Sequence, residues 1–129
     1  MRAVSWPRHL ETESTFLMDE KDQTAQEAHR LGRTMRRNIR NVKGSHSDKV
    51  LLIAEDAVDK VTDLDQRQRV ADMPADSQPV EVLKDITIEA HAEITQQDDA
   101  SEITSAEATA ANSILTQAHD KTVREAEHA

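Results

Sequence analysis

Between Ala28 and Lys43 the chain reads AHRLGRTMRRNIRNVK. At ~100° per residue, Ala28, Leu31, Met35, Ile39 and Val42 gather in an arc of about 80°, whereas Arg30, Arg33, Arg36, Arg37, Arg40 and Lys43 share a separate arc of about 140°. This is the segregation of an amphipathic helix with one buried face and one cationic face. Upstream the apolar ladder continues through Leu17, Lys21 and Thr24. Acidic residues Glu20, Asp22 and Glu27 occupy the first half of this helix and basic residues the second, the order that complements a helix dipole. The spacing predicts a helix over residues 15–43, with Gly44 as its C-cap. Gly32 in its interior costs about 1 kcal/mol relative to alanine, which implies a slight bend or a close helix contact there.

The same period recurs downstream. Ser45 or Ser47 can cap a second helix over 47–73, whose ladder is Val50, Ala54, Ala57, Val61, Leu64, Gln68 and Ala71, with Leu51 and Val58 beside it. It stops at the connector Pro74-Ala-Asp-Ser-Gln-Pro79. A third helix over 79–96 carries Val80, Leu83, Thr87, Ala90 and Ile94. Within it, residues 86–95 also alternate as a half-buried strand would; helix is preferred because alanine is a poor strand former and no second strand lies nearby. Thr104 and Glu107 have capping-box spacing for a fourth helix over 104–127, with Ala108, Ala111, Ile114, Leu115, Ala118, Thr122 and Val123 on one face.

Four helices with short connections predict an all-α fold: an antiparallel helical bundle or paired helical hairpins, formed by residues 14–129 as a single domain. Residues 1–13 are expected as an extended N-terminal arm, because Trp6 precedes Pro7 and is biased away from helix.

Composition agrees with a helical chain and removes other classes. The protein has 129 residues, a net charge of -9, two glycines, no cysteine and 2% aromatic residues. Nucleotide-binding α/β folds need glycines at phosphate turns, β-sandwiches need turn residues and aromatics, and cysteine-ligated metals or disulfides need cysteine. Seventeen of the apolar residues are alanine, so the core is expected to be thin. Lys21, Asn38 and Gln68 interrupt the ladders, and polar residues at such positions can set register and oligomer state. No apolar run reaches membrane-spanning length, the longest being residues 50–54. The opening MRAVSWPRHLETES has no signal-type apolar region, so the expected compartment is the cytoplasm, or a virus particle if the chain is a particle component.

For chemistry, no serine, histidine and aspartate set is marked by a nucleophile motif, and no Gly-rich phosphate loop occurs, so no catalytic residues and no cofactor are expected. Glu89, His91 and Glu93 invite a metal, as do His119 and Asp120. However, a di-iron bundle needs two Glu-x-x-His pairs, and the chain has one, Glu125 with His128. Solvated surface histidines are the preferred assignment, with no metal ligands named. The cationic face Arg30, Arg33, Arg36, Arg37, Arg40 and Lys43 is the strongest local signal. It would bind either nucleic acid or an acidic protein surface, including acidic helices of its own chain such as the one bearing Glu55, Asp56, Asp59, Asp63 and Asp65. Trp6 and Phe16, the only aromatics, are candidate partner anchors.

These observations lead to a non-enzymatic helical structural or adaptor subunit that forms a homo-oligomer through its alanine-rich heptad faces or joins a larger assembly, docking partners by the arm and by the basic face of the first helix; a viral capsid or connector component is one version. The alternatives are a nucleic-acid-binding regulator acting through Arg30 to Lys43 and a metal-binding helical bundle.

Overall fold

In the computed structural model the backbone is described for residues 2–128 and the side-chain surroundings for residues 20–128. Five helices follow one another with no strand among the described residues: α1 (Arg2–Ile39), α2 (Asp48–Thr62), α3 (Gln66–Ala71), α4 (Pro79–Asp99) and α5 (Ser105–Glu127). The fold is an all-α bundle in which each of the four long helices touches the other three. Small residues make this mutual contact possible. Ala28, Ala54, Ala57, Ala90, Ala111 and Ala118 are all nearly or completely buried, and a methyl side chain lets helix axes approach across the middle of the bundle.

Two hairpins are recognisable from which residues meet. On α1 and α2, Gly32 faces Thr62, Arg36 faces Asp59 and Arg40 faces Glu55, so the numbers rise on one helix as they fall on the other. On α4 and α5, Asp98 accepts from Ser105, and His91 meets Asn112 and Thr116. Each hairpin is therefore antiparallel. Lys49 and Glu107, 3.0 Å apart, tie the start of α2 to the start of α5.

The expected cores of helices one, three and four are present. Leu31, Met35 and Ile39 of α1, Leu83, Ile86 and Ile94 of α4, and Ile114 and Leu115 of α5 are buried. Residues 86–95 are helical. Ile86, Ala90 and Ile94 are fully buried at four-residue spacing, while Ile88, which a strand would bury with them, is 55% exposed.

Helix ends follow local chemistry. Ser47 Oγ accepts from Val50 N at 3.2 Å and caps α2. Thr104 and Glu107 form the expected capping box at α5, with bonds of 3.1 and 2.8 Å. The end of α4 is a Schellman motif: Glu102 N donates to Gln97 O and Ser101 N to Asp98 O, each at 2.9 Å. The left-handed position that glycine usually fills is held there by Ser101 at φ 60°.

Besides α4, which runs to Asp99 where the expected helix stopped at 96, three boundaries differ from the sequence expectation. First, the helix bounds begin at Arg2, so residues 2–13 have helical backbone instead of forming an extended arm. Pro7 removes one helical hydrogen bond, and no other breaker occurs before Gly32. Second, α1 ends at Ile39, not Lys43. Arg40, Asn41 and Val42 donate three residues back in tightened turns, and Gly44 serves the connector with φ 110°.

Third, the expected helix 47–73 is broken at Asp63–Asp65 into α2 and α3. Asp65 caps α3 by accepting from Arg67 N at 3.0 Å. Gln66 turns back and donates to the carbonyls of Val61 and Leu64 at 2.8 Å, the first of which also accepts from Leu64 N. The break shifts the helical phase: Gln66 and Val70 are buried in place of Gln68 and Ala71, and Leu64 is 57% exposed.

The polar residues that interrupt the α1 ladder are used within the chain. Lys21 Nζ donates to Ala71 O at 3.1 Å, at the end of α3. Buried Asn38 donates to Thr122 Oγ1 at 3.0 Å and to Glu125 Oε1 at 2.8 Å, which pins α1 to α5.

Candidate functional site

The cationic face of α1 is where the sequence places it, but its members do different things. Arg30, Arg33, Arg36 and Arg37 line a groove of about 530 Å³ whose opposite wall is Asp59 and Asp63. Arg36 Nε lies 2.8 Å from Asp59 Oδ2 in an ion pair. Arg40 grips Glu55 through two hydrogen bonds, at 3.2 and 2.8 Å, and Asp48 stands 3.5 Å from it. Glu55 is 5% exposed, so its charge is compensated by a guanidinium that is itself half in solvent. A buried carboxylate without that partner would be strongly unfavourable. The hydrogen bonds and charge of Glu55 in turn hold Arg40 above its ordinary pKa. Arg30 pairs along its own helix with Glu27.

Arg36 and Arg40 are therefore structural cations of the α1–α2 hairpin. Arg33 and Arg37 are exposed and have no ion-pair partner among the described residues. Lys43 is carried away from the other five by the turn after Ile39. It lies in a second groove of about 520 Å³ with Lys121 and Arg124 of α5, beside Asp120 and Glu125. The two α5 cations were invisible as part of this surface in the sequence, because only the packing of α5 against the end of α1 brings residues about 80 positions apart together.

Burial raises the pKa of Asp59; Arg36 opposes that shift, and the neighbouring Asp63 and Asp56 reinforce it. Asp65 moves the opposite way: its hydrogen bonds from Arg67 hold it below the usual carboxylate range.

The α1–α2 groove continues along α1 past Arg30. Its next section, about 320 Å³, includes Asp22, Gln26 and His29 of α1 opposite Asp63, Leu64, Asp65 and Arg67, the last paired with Asp65 at 3.0 Å. The two sections adjoin at Asp63 and together form the α1 trough: arginines outnumber carboxylates toward the end of α1, carboxylates outnumber Arg67 toward Asp22, and Leu64 is an exposed apolar side chain in the second section.

The candidate metal residues are separated by their partners. Glu89 pairs with Arg69, Glu93 with Lys60, and His91 Nδ1 lies 2.7 Å from Asn112 Oδ1. His119 Nδ1 lies 3.2 Å from Asp120. Among the described residues no three metal-ligating side chains converge. Trp6 and Phe16, the aromatic anchor candidates, lie outside the residues whose side chains are described. No helix among the described residues is long and apolar enough to cross a membrane.

Comparison with protein-family models, with curated proteins and with solved structures finds no match.

Proposed function

We propose that the chain is a non-enzymatic helical subunit that self-associates or docks within a larger protein assembly, in the cytoplasm or in a particle. The observation that carries this reading is the charged trough along α1, where Arg33 and Arg37 have no ion-pair partner among the described residues and Leu64 is exposed in the adjoining section. Exposed apolar and unpaired ionic groups gathered on one face are the ordinary signature of a surface that meets another protein.

The alanine-rich faces do not supply the interface, since they close the chain's own core. Several polar residues of the kinds that catalysis uses have structural partners: Ser47 and Thr104 cap helices, Ser105 donates to Asp98, and His91 packs against Asn112 and Thr116. The test is the mass in solution by light scattering over the micromolar range, with and without nucleic acid. A mass above that of one chain without nucleic acid supports the reading, and a monomer at every concentration overturns it.

Nucleic-acid binding has one specific observation in its favour, the approach of Lys121 and Arg124 to Lys43. It is weakened because Arg36 and Arg40 already hold carboxylates. If Arg33, Arg37 and Lys43 alone met phosphates, affinity would fall with salt at a log-log slope of about -3. An absence of binding to duplex DNA at low salt removes this reading.

A further inference from the structure

We infer that the occupant of the α1 trough is the same trough of a second copy of this chain, the two lying antiparallel about a two-fold axis near Gln26 and His29; this rests on the assembly reading above. The basis is the order of charge along one face. Asp22 and Arg33 are eleven residues apart, three helical turns to within about 20°, so they sit on the same side of α1 separated by ~16 Å. Both lie on the trough. Asp22 is in the section lined by Asp63, Asp65 and Arg67, where Arg67 is bonded to Asp65, and Arg33 is in the section lined by Arg30, Arg36 and Arg37 with Asp59 and Asp63. The first section therefore keeps an excess of carboxylates and the second an excess of guanidinium groups.

A two-fold rotation about the midpoint places Arg33 of each copy over Asp22 of the other. It also lays Gln26 of one copy opposite His29 of the other. The patch is thus its own complement, the requirement of an isologous interface. A polyanion lying along the trough would be attracted at one end and repelled at the other by Asp22 and Asp63, whereas Asp65 is already paired with Arg67. A bipolar partner is matched at both ends. Leu64, 57% exposed within the acidic section, supplies the apolar contact that charge pairs alone do not give.

The experiment is a charge swap read by sedimentation equilibrium on the full chain, with helicity at 222 nm recorded for every variant. Wild type is expected to dimerise at micromolar concentration. Arg33→Glu and Asp22→Lys should each weaken the dimer at least tenfold, because each places like charges opposite one another twice per dimer. The double variant carrying both exchanges should recover the dimer, since the complementarity is only reversed.

Leu64→Gln, which changes no charge, should also weaken it. An oligomer insensitive to all three single changes, or a double variant no tighter than the singles, overturns the trough assignment while leaving the assembly reading in place. A wild-type monomer at every concentration overturns both.

Discussion

Gly32→Ala tests a close contact between α1 and α2. A β-carbon added at Gly32 would lie 2.5 Å from Thr62 Oγ1 and 2.7 Å from Thr62 Cγ2, both inside van der Waals contact. Thr62 is 2% exposed, and a β-branched side chain in a helix has little χ1 freedom to move aside. Alanine in mid-helix is worth about 1 kcal/mol over glycine, whereas overpacking a filled site costs about 1–3 kcal/mol. With two sub-contact distances the upper part of that range applies, and the net expectation is a loss of about 1–2 kcal/mol. That corresponds to a fall in Tm of about 3–10 °C for a domain of this size.

The second arm of the test is Thr62→Ala. Thr62 Oγ1 has no hydrogen-bond partner, so removing it breaks no bond, and the methyl deletion costs about 1 kcal/mol. The double variant Gly32→Ala with Thr62→Ala then gains the helix preference without the clash. It should be more stable than the sum of the singles by about 1–3 kcal/mol. Urea unfolding followed by circular dichroism measures all four proteins. A stabilised Gly32→Ala single variant, or strict additivity in the cycle, refutes the close-contact explanation of Gly32.

Other outcomes follow from the same structure. Ser101→Gly relieves a left-handed serine at the α4 terminus and should raise stability by about 0.5–1 kcal/mol, seen as a higher urea midpoint with an unchanged slope. Arg40→Ala leaves the buried Glu55 carboxylate uncompensated and should lower the urea midpoint clearly, whereas Arg33→Ala, which breaks no ion pair among the described residues, should leave it unchanged; equal effects would contradict the division of the cationic face. Glu107 is held below its ordinary pKa, first by the Thr104 backbone N–H and then by Lys49. A carboxylate depressed in the folded state stabilises above its unfolded pKa, near 4.3, and loses that contribution as pH falls through the folded value. Stability should therefore drop on acidification below about pH 4.3, and Glu107→Gln should make that acid limb shallower in a urea titration at several pH values. Asp59, raised by burial, works in the opposite sense, so Asp59→Asn should leave the acid limb steeper.

The helices were legible because their signals are local. Ala28, Leu31, Met35 and Ile39 repeat within a few turns, and the same chain segment that shows the repeat also buries it. Ser47, Thr104 and Glu107 act on backbone groups three residues away, so their roles can be read from spacing. The break at Leu64 was not legible: Leu64, Gln68 and Ala71 continue the period of α2 without a glycine or proline to interrupt it. Asp65 and Gln66 stop the helix with side-chain bonds that compete only marginally with a continuing turn, and the packing of α3 against α1 decides between them.

The candidate surface shows the same division. The segregation of six cations on one arc of α1 is a property of residues 30–43 and their period alone. Which of them remain available is set by distant groups: Glu55 and Asp59 neutralise Arg40 and Arg36 because α2 returns antiparallel, and Lys43 joins Lys121 because α5 ends beside it. The sequence by itself determined that this chain is helical, glycine-poor and thin in apolar bulk, with one basic helix face, since each of these follows from composition or from a period shorter than one helix. Only the tertiary structure decided which charges are paired, which alanines close the core and that Leu64 faces solvent. Those outcomes depend on distances between segments tens of residues apart, and the close approach of alanine-lined helices sets those distances.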